Sequence, residues 1–149
     1  MPNITDATEK SVNTANAPTP CDKPRILIVD DEKMICDVFR TVLSFGIPNC
    51  RVDAAINGAE AVRMFRDVHH VVILMDLRMP VMDGETAFRE IEKICREENI
   101  QMPSIVFCTG FVPSDEIRKI IANSRIHGLL RKPISNDVLV ETLKSKLLL

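Results

Sequence analysis

From Arg25 onward, short apolar runs of strand length alternate five times with longer runs of helical period. The strand-like segments fall at about 25–30, 50–55, 71–76, 103–109 and 127–131, and the helix-like ones at about 32–45, 57–67, 84–97, 114–124 and 135–147. Met34, Ile35, Val38, Phe39, Val42 and Phe45 draw a stripe of period 3.6, and Val138, Leu139, Thr142, Leu143 and Leu147 draw another. Val71–Met75 is continuously apolar, as a central strand covered on both faces must be. Such alternation predicts a parallel sheet wound by right-handed crossovers. Five strands fit an α/β fold of flavodoxin-like type, a doubly wound (βα)5 sheet in the order 2-1-3-4-5. Gly46 is expected to stop the first helix, while Asn57-Gly58 and Pro113-Ser114-Asp115-Glu116 are expected to start the second and fourth.

Residues 1–23 differ in kind: they are rich in Thr, Asn, Ala, Ser and Pro, and hold only Ile4 and Val12 as branched aliphatics. Such a segment buries too little to offset its ordering entropy, so a disordered tail is expected before one ordered domain at 24–149. The sequon Asn3-Ile4-Thr5 is read as chance, since nothing else points to secretion. A net charge of -2 argues against a direct nucleic-acid footprint, which needs a basic stripe. No run approaches the roughly 18 apolar residues that cross a bilayer, and the N-terminus lacks a signal-peptide pattern. The five cysteines (21, 36, 50, 95 and 108) include no CxxC pair, so packing thiols in a reducing, cytoplasmic compartment are expected.

The chemistry gathers where the strands stop. Ile26–Val29 ends in Asp30-Asp31, Val71–Met75 in Asp76, Ser104–Cys108 in Thr109, and Gly128–Arg131 in Lys132-Pro133. In a doubly wound sheet, ligands sit beyond the carboxyl ends of the strands, next to the switch in strand order. Three carboxylates, a hydroxyl and an ammonium would therefore share one pocket. Two carboxylates 4 Å apart repel by roughly 4 kcal/mol at an effective dielectric of 20, so protonation or a cation must offset them. An all-oxygen donor set favours Mg²⁺ over zinc. One carboxylate can take a phosphoryl group as an acyl phosphate. Asp76, alone at the end of the central strand, is the candidate, with Asp30 and Asp31 left to hold metal. Lys132 and Thr109 could meet phosphate oxygens. A simpler role stays open at this point: Asp often ends a strand as a turn or cap residue, and Asp30-Asp31-Glu32 would suit an acidic helix start.

Four motifs in order carry a resemblance: Ile26-Leu27-Ile28-Val29-Asp30-Asp31-Glu32, Met75-Asp76-Leu77-Arg78-Met79-Pro80-Val81-Met82-Asp83-Gly84, Cys108-Thr109-Gly110 and Leu130-Arg131-Lys132-Pro133. Together they resemble the receiver domain of two-component response regulators, over about residues 24–149. The resemblance implies that Asp76 takes a phosphoryl group from a histidine kinase or a His-containing phosphotransfer protein. It implies Mg²⁺ on Asp30, Asp31, Asp76 and the backbone carbonyl of Arg78, with Asp31 the more direct ligand and Asp30 acting largely through water. Thr109 would be the switch hydroxyl, and Lys132 would pair with Asp76 before phosphorylation and with the phosphate after it. The Lys132-Pro133 bond is typically cis in such domains. Signalling would follow by binding a downstream protein effector or by onward phosphotransfer. A homodimer through the helix-four, strand-five and helix-five face is common in the family.

One position departs from the pattern. The family usually carries Tyr or Phe three residues before the lysine, where this chain has Leu129, so its output face is expected to switch less sharply or through the loop around Phe111 and Val112. In the family the positions of Arg78 and Phe111 flank the phosphoryl group, so these two bulky side chains are expected to slow its hydrolysis, while Gly110 would leave room for a donor. The reading is thus a stand-alone receiver, not an enzyme beyond its own phosphorylation and slow dephosphorylation. The alternatives are a receiver fragment of a larger hybrid kinase or regulator, and an Mg²⁺-dependent aspartyl-phosphate phosphohydrolase. The hydrolases generally carry an acid two residues past the nucleophile, where this chain has Arg78.

Overall fold

The structure, a computed structural model, describes residues 23–148. The expected tail, except Lys23, lies outside the described residues, with Cys21 and the sequon. In chain order the elements are β1 (Arg25–Val29), α1 (Lys33–Gly46), β2 (Arg51–Ala55), α2 (Gly58–Val68), β3 (Val72–Asp76), α3 (Gly84–Glu98), β4 (Ser104–Thr109), α4 (Asp115–Ala122), β5 (Gly128–Arg131) and α5 (Asn136–Leu147). All pairings are parallel, in the order β2-β1-β3-β4-β5, as the alternation predicted.

The period of two in each strand sorts side chains onto two cores. Leu27, Val29, Ile73, Met75, Ile105 and Phe107 meet α2, α3 and α4 on one face. Ile26, Ile28, Val72, Leu74, Val106 and Cys108 meet α1 and α5 on the other. β3 and β4 are buried along their whole length, whereas β2 and β5 form the half-exposed edges. Four helices start on side-chain caps, each accepting a backbone N–H: Asn57 from Glu60, Asp83 from Thr86, Ser114 from Ile117 and Ser135 from Val138. The first helix is the exception, with Glu32 at its cap position making no such bond.

Gly46 plays a different part from the one expected. It is the last helical residue of α1 and has no positive φ; the N–H of Ile47 closes the turn on Leu43. A Cβ at Gly46 would lie 2.6 Å from a methyl of Val140, so its bareness lets α1 approach α5. The thiols of Cys36, Cys50, Cys95 and Cys108 are free and buried, as packing groups should be. Burial pushes Cys36 up to about 11 and Cys108 up to about 12.

The end of the sheet away from the aspartates is closed by charge. Asp53 on β2 accepts from Arg25 on β1 at 3.0 Å and from the buried His70, just ahead of β3, at 2.8 Å. A second buried imidazole, His127, accepts the Ile105 N–H at Nδ1 over 3.0 Å and stands edge-on to Phe88. Burial, with Lys146 nearby, pushes His127 down to about 4. The unfolded chain therefore binds a proton between about pH 6.5 and 4 that the folded chain refuses, so stability falls as pH falls through that window. Urea unfolding at pH 5 should show about 2 kcal/mol less stability than at pH 7 from this residue, and His127→Gln should remove that share of the difference.

Candidate functional site

Parallel pairing brings the carboxyl ends of the five strands to one edge, and the switch in strand order opens a crevice between β1 and β3. Asp30, just past β1, and Asp76, the last residue of β3, are both buried there, and Asp31 is exposed beside them. One carboxylate oxygen from each lies within 4.8 Å of the others. Lys132 follows β5 and reaches back across β4 to this cluster. Its Nζ donates to Asp30 Oδ2 at 2.7 Å and stands 3.5 Å from Asp76 Oδ2. The expected pairing with Asp76 is thus shared, and the shorter bond goes to the more deeply buried Asp30. The Lys132-Pro133 peptide is cis.

Asp30 does carry out the turn chemistry left open above, because its Oδ1 accepts the Glu32 N–H at 2.9 Å. Its other oxygen holds the lysine, so the residue has both roles. One ammonium against three carboxylates leaves negative charge in excess. Burial pushes the Asp76 carboxyl up, Lys132 pulls it back, and the charge of Asp30 pushes it up again, with a net rise. Burial would lower Lys132, but its hydrogen bond to Asp30 and the charges of Asp30 and Asp76 raise it on balance. A buried carboxylate that resists ionisation, beside two others, is what an uncompensated hard-cation site looks like. The residues present therefore fit a divalent ion such as Mg²⁺.

Two loops rim the pocket. In the β3–α3 loop, the Gly84 N–H donates to the Leu77 carbonyl at 2.9 Å, and α3 begins so close to β3 that a Cβ at Gly84 would run into the Asp76 carbonyl oxygen. Val81 in this loop has φ 71°, a region that β-branched residues avoid. In the β4–α4 loop, the fully buried Thr109 accepts the Phe111 N–H on Oγ1 at 3.1 Å. Gly110 is exposed, and a Cβ there would meet nothing within 4 Å, so the space it leaves opens outward. Arg78 and Phe111 do not point separately into solvent: the guanidinium lies 4.0 Å from the centroid of the Phe111 ring. Leu129 packs with the core on the α3 and α4 side, paired in register with Phe107.

Three features were not singled out from sequence. The closeness of Gly84 to Asp76 is one, and its position at the start of a helix after a strand was the available signal. The hydrogen bond from Ser114 Oγ at the cap of α4 to Glu85 Oε1 in the first turn of α3, 2.9 Å long, is another, and no local pattern announces it. The third is an apolar groove beside the pocket, lined by Met34, Ile35, Val38, Phe39, Pro133 and Ile134. The α1 stripe signalled an apolar face, but Met34 remains 80% exposed and Val38 53%.

With this geometry in place, the chain can be set beside known proteins. Residues 26–144 match the family described as the response regulator receiver domain. The chain is 43% identical over 67 residues to the regulatory protein AtoC of Escherichia coli, a match spanning 45% of this chain and 14% of that protein. It is 26% identical over 125 residues to the chemotaxis protein CheY of Halobacterium salinarum, spanning 83% of this chain and 96% of that one. Among solved structures, a CheY-like response regulator receiver domain from Methanospirillum hungatei superposes with a TM-score of 0.68 at 26% identity, covering 85% of this chain and 94% of that one. Some relatives are thus far longer than the matched segment, and others have about its length. Among the described residues, no helix is long and apolar enough to cross a membrane.

Adding one methyl group at Gly84 should move Asp76 itself. Gly84→Ala is expected to cost about 1–3 kcal/mol in urea unfolding and to weaken Mg²⁺ binding, read from chemical shifts around Asp76, whereas Gly110→Ala should leave stability unchanged.

Proposed function

The chain belongs to the response regulator receiver domain family, and from that premise we propose that Asp76 accepts a phosphoryl group from a phosphohistidine donor. The observation that carries the reading is the convergence on Asp76 of one ammonium, from Lys132, and two further carboxylates, from Asp30 and Asp31. Asp76 ends the buried central strand, so its carboxylate is fixed in place before any partner arrives.

In this reading an Asp76 oxygen attacks phosphorus in line with the imidazole nitrogen of the donor. The new P–O bond forms as the P–N bond breaks, and that bond's electron pair stays on the imidazole. Mg²⁺ held by Asp30, Asp31, Asp76 and the Arg78 carbonyl would supply positive charge for the phosphoryl oxygens. Lys132 Nζ, already 3.5 Å from Asp76, meets a phosphoryl oxygen while Asp30 keeps hold of it. Thr109 accepts through its oxygen in the resting state, so its hydroxyl hydrogen is free to be given to the phosphoryl group. The chain turns over no outside substrate, since the chemistry begins and ends on Asp76. A hydrolase would need an acid where Arg78 stands, and that side chain is stacked on Phe111.

The partner suited to the groove is a helix of the donor. Met34, Val38 and Phe45 recur along one exposed face of α1, and the groove runs from Met34 and Val38 to Lys132 and Pro133. An apolar helix face laid there would bring its phosphohistidine over the acidic pocket. The phosphorylated chain then acts on a downstream protein or passes the group on.

Incubation with acetyl phosphate and Mg²⁺ should add the mass of one phosphoryl group. The gain should vanish in Asp76→Asn and with a chelator; labelling of Asp76→Asn would mean another carboxylate is the acceptor. Gly110→Val should slow transfer from a phosphohistidine protein more than from acetyl phosphate, because the space it fills lies on the donor's side. The phosphoryl group should be lost faster from Arg78→Ala, and an equal lifetime would show that this side chain does not restrict water.

A further inference from the structure

The β4–α4 loop is fastened at three points. Its start is tied to the pocket, because the Phe111 N–H donates to Thr109 Oγ1 at 3.1 Å. Its middle is tied to the opposite loop, because the Arg78 guanidinium lies 4.0 Å from the centroid of the Phe111 ring. Its end is tied to α3, because Ser114 Oγ donates to Glu85 Oε1 at 2.9 Å while also capping α4. Apolar burial contributes little to holding it: Phe111 is 52% exposed and Val112 67%. Two of the three fastenings end close to Asp76 along the chain or the sheet: Arg78 lies two residues past it, and Thr109 follows Cys108, its register partner on β4; both share the cleft under the loop with Phe111.

We propose that the Arg78–Phe111 stack is a releasable latch, opened by a phosphoryl group on Asp76, and that the loop it holds is the output element of this chain. The inference rests on the reading of Asp76 as acceptor. A phosphoryl group brings charge and three acceptor oxygens into the space between the loops. A guanidinium makes stronger, charge-assisted bonds to phosphate than it makes with an exposed ring face. Arg78 therefore turns inward and Phe111 loses the partner on its ring. The Thr109 hydroxyl, turning to donate to the same group, withdraws its oxygen from the Phe111 N–H. Both nearer fastenings then fail together, while the Ser114–Glu85 bond stays as the fixed end. Gly110 has open space on its outer side, so the loop can pivot there without a clash. Phe111 and Val112 become a free apolar pair beside α4. β5 offers no comparable part: Leu129 is aliphatic, half-buried against the core, and paired with the fully buried Phe107.

The chain has no Trp and no Tyr, so Phe111→Trp introduces a lone fluorophore that keeps a ring under Arg78. Emission and iodide quenching are followed while acetyl phosphate and Mg²⁺ are added, and uptake is read by intact mass in the same samples. The Trp signal should change in step with uptake and stay constant in the Asp76→Asn background. Adding Arg78→Gln should shift the unphosphorylated protein toward the phosphorylated signal, with the closed-to-open ratio lowered about two- to fivefold. In the unsubstituted chain, the amide signals of Phe111 and Val112 should move more than those of Leu129 and Leu130. Phosphoryl uptake by mass with an unchanged Trp signal, or with larger shifts on β5 than on the loop, overturns the latch and leaves the acceptor reading standing. No uptake at all overturns the acceptor reading, and the latch falls with it.

Discussion

The Lys132 ammonium holds the working end of this molecule together. It reaches from the end of the edge strand β5 to carboxylates at the ends of β1 and β3, and so joins chain segments more than a hundred residues apart (|i−j|=102). Without it, two buried carboxylates would face each other across the crevice with no cation of the chain's own. With it, their repulsion is reduced but not cancelled, and the Asp76 carboxyl is still pushed up. That incomplete compensation is what the site needs. A fully neutralised pocket would have no use for a metal ion.

The opposite end of the sheet makes the contrast. There, the single Asp53 carboxylate receives both a guanidinium and an imidazole, which hold its pKa below the usual carboxylate value in spite of burial. Charge is satisfied at this end, and left short at the acidic pocket. The same division separates the glycines. Gly46 and Gly84 are bare because another part of the chain lies against them, whereas Gly110 is bare toward the outside.

Much of this was legible in the residues. Periodicity located every element to within a few positions, because strands covered on both faces must be continuously apolar and α1 must present one stripe. The strand-end residues came together because parallel topology leaves them no other place. What sequence could not supply was contact between loops. That Arg78 meets Phe111, or Ser114 meets Glu85, depends on how two excursions from the sheet turn toward each other, and neither has a local signature. Gly46 was misjudged for a similar reason: a glycine near a helix end suggests a left-handed stop, and only the position of Val140 shows that closeness to α5 is its purpose.

The buried thiol of Cys108 has a consequence for chemical selectivity. It stands opposite Asp76 in the β3–β4 register, close enough to feel the charges of Asp76, Asp30 and Lys132. Sulfur in its ionised form is a far keener nucleophile than a carboxylate, and a thiolate here would compete for any electrophile admitted to the crevice. Burial pushes this thiol up to about 12, with the pull of Lys132 opposed by the charges of Asp76 and Asp30. At neutral pH only roughly one molecule in 10⁵ would carry the thiolate. Burial in the sheet, rather than the charges around it, thus keeps this thiol protonated beside Asp76 and leaves the carboxylate as the ready nucleophile of the crevice.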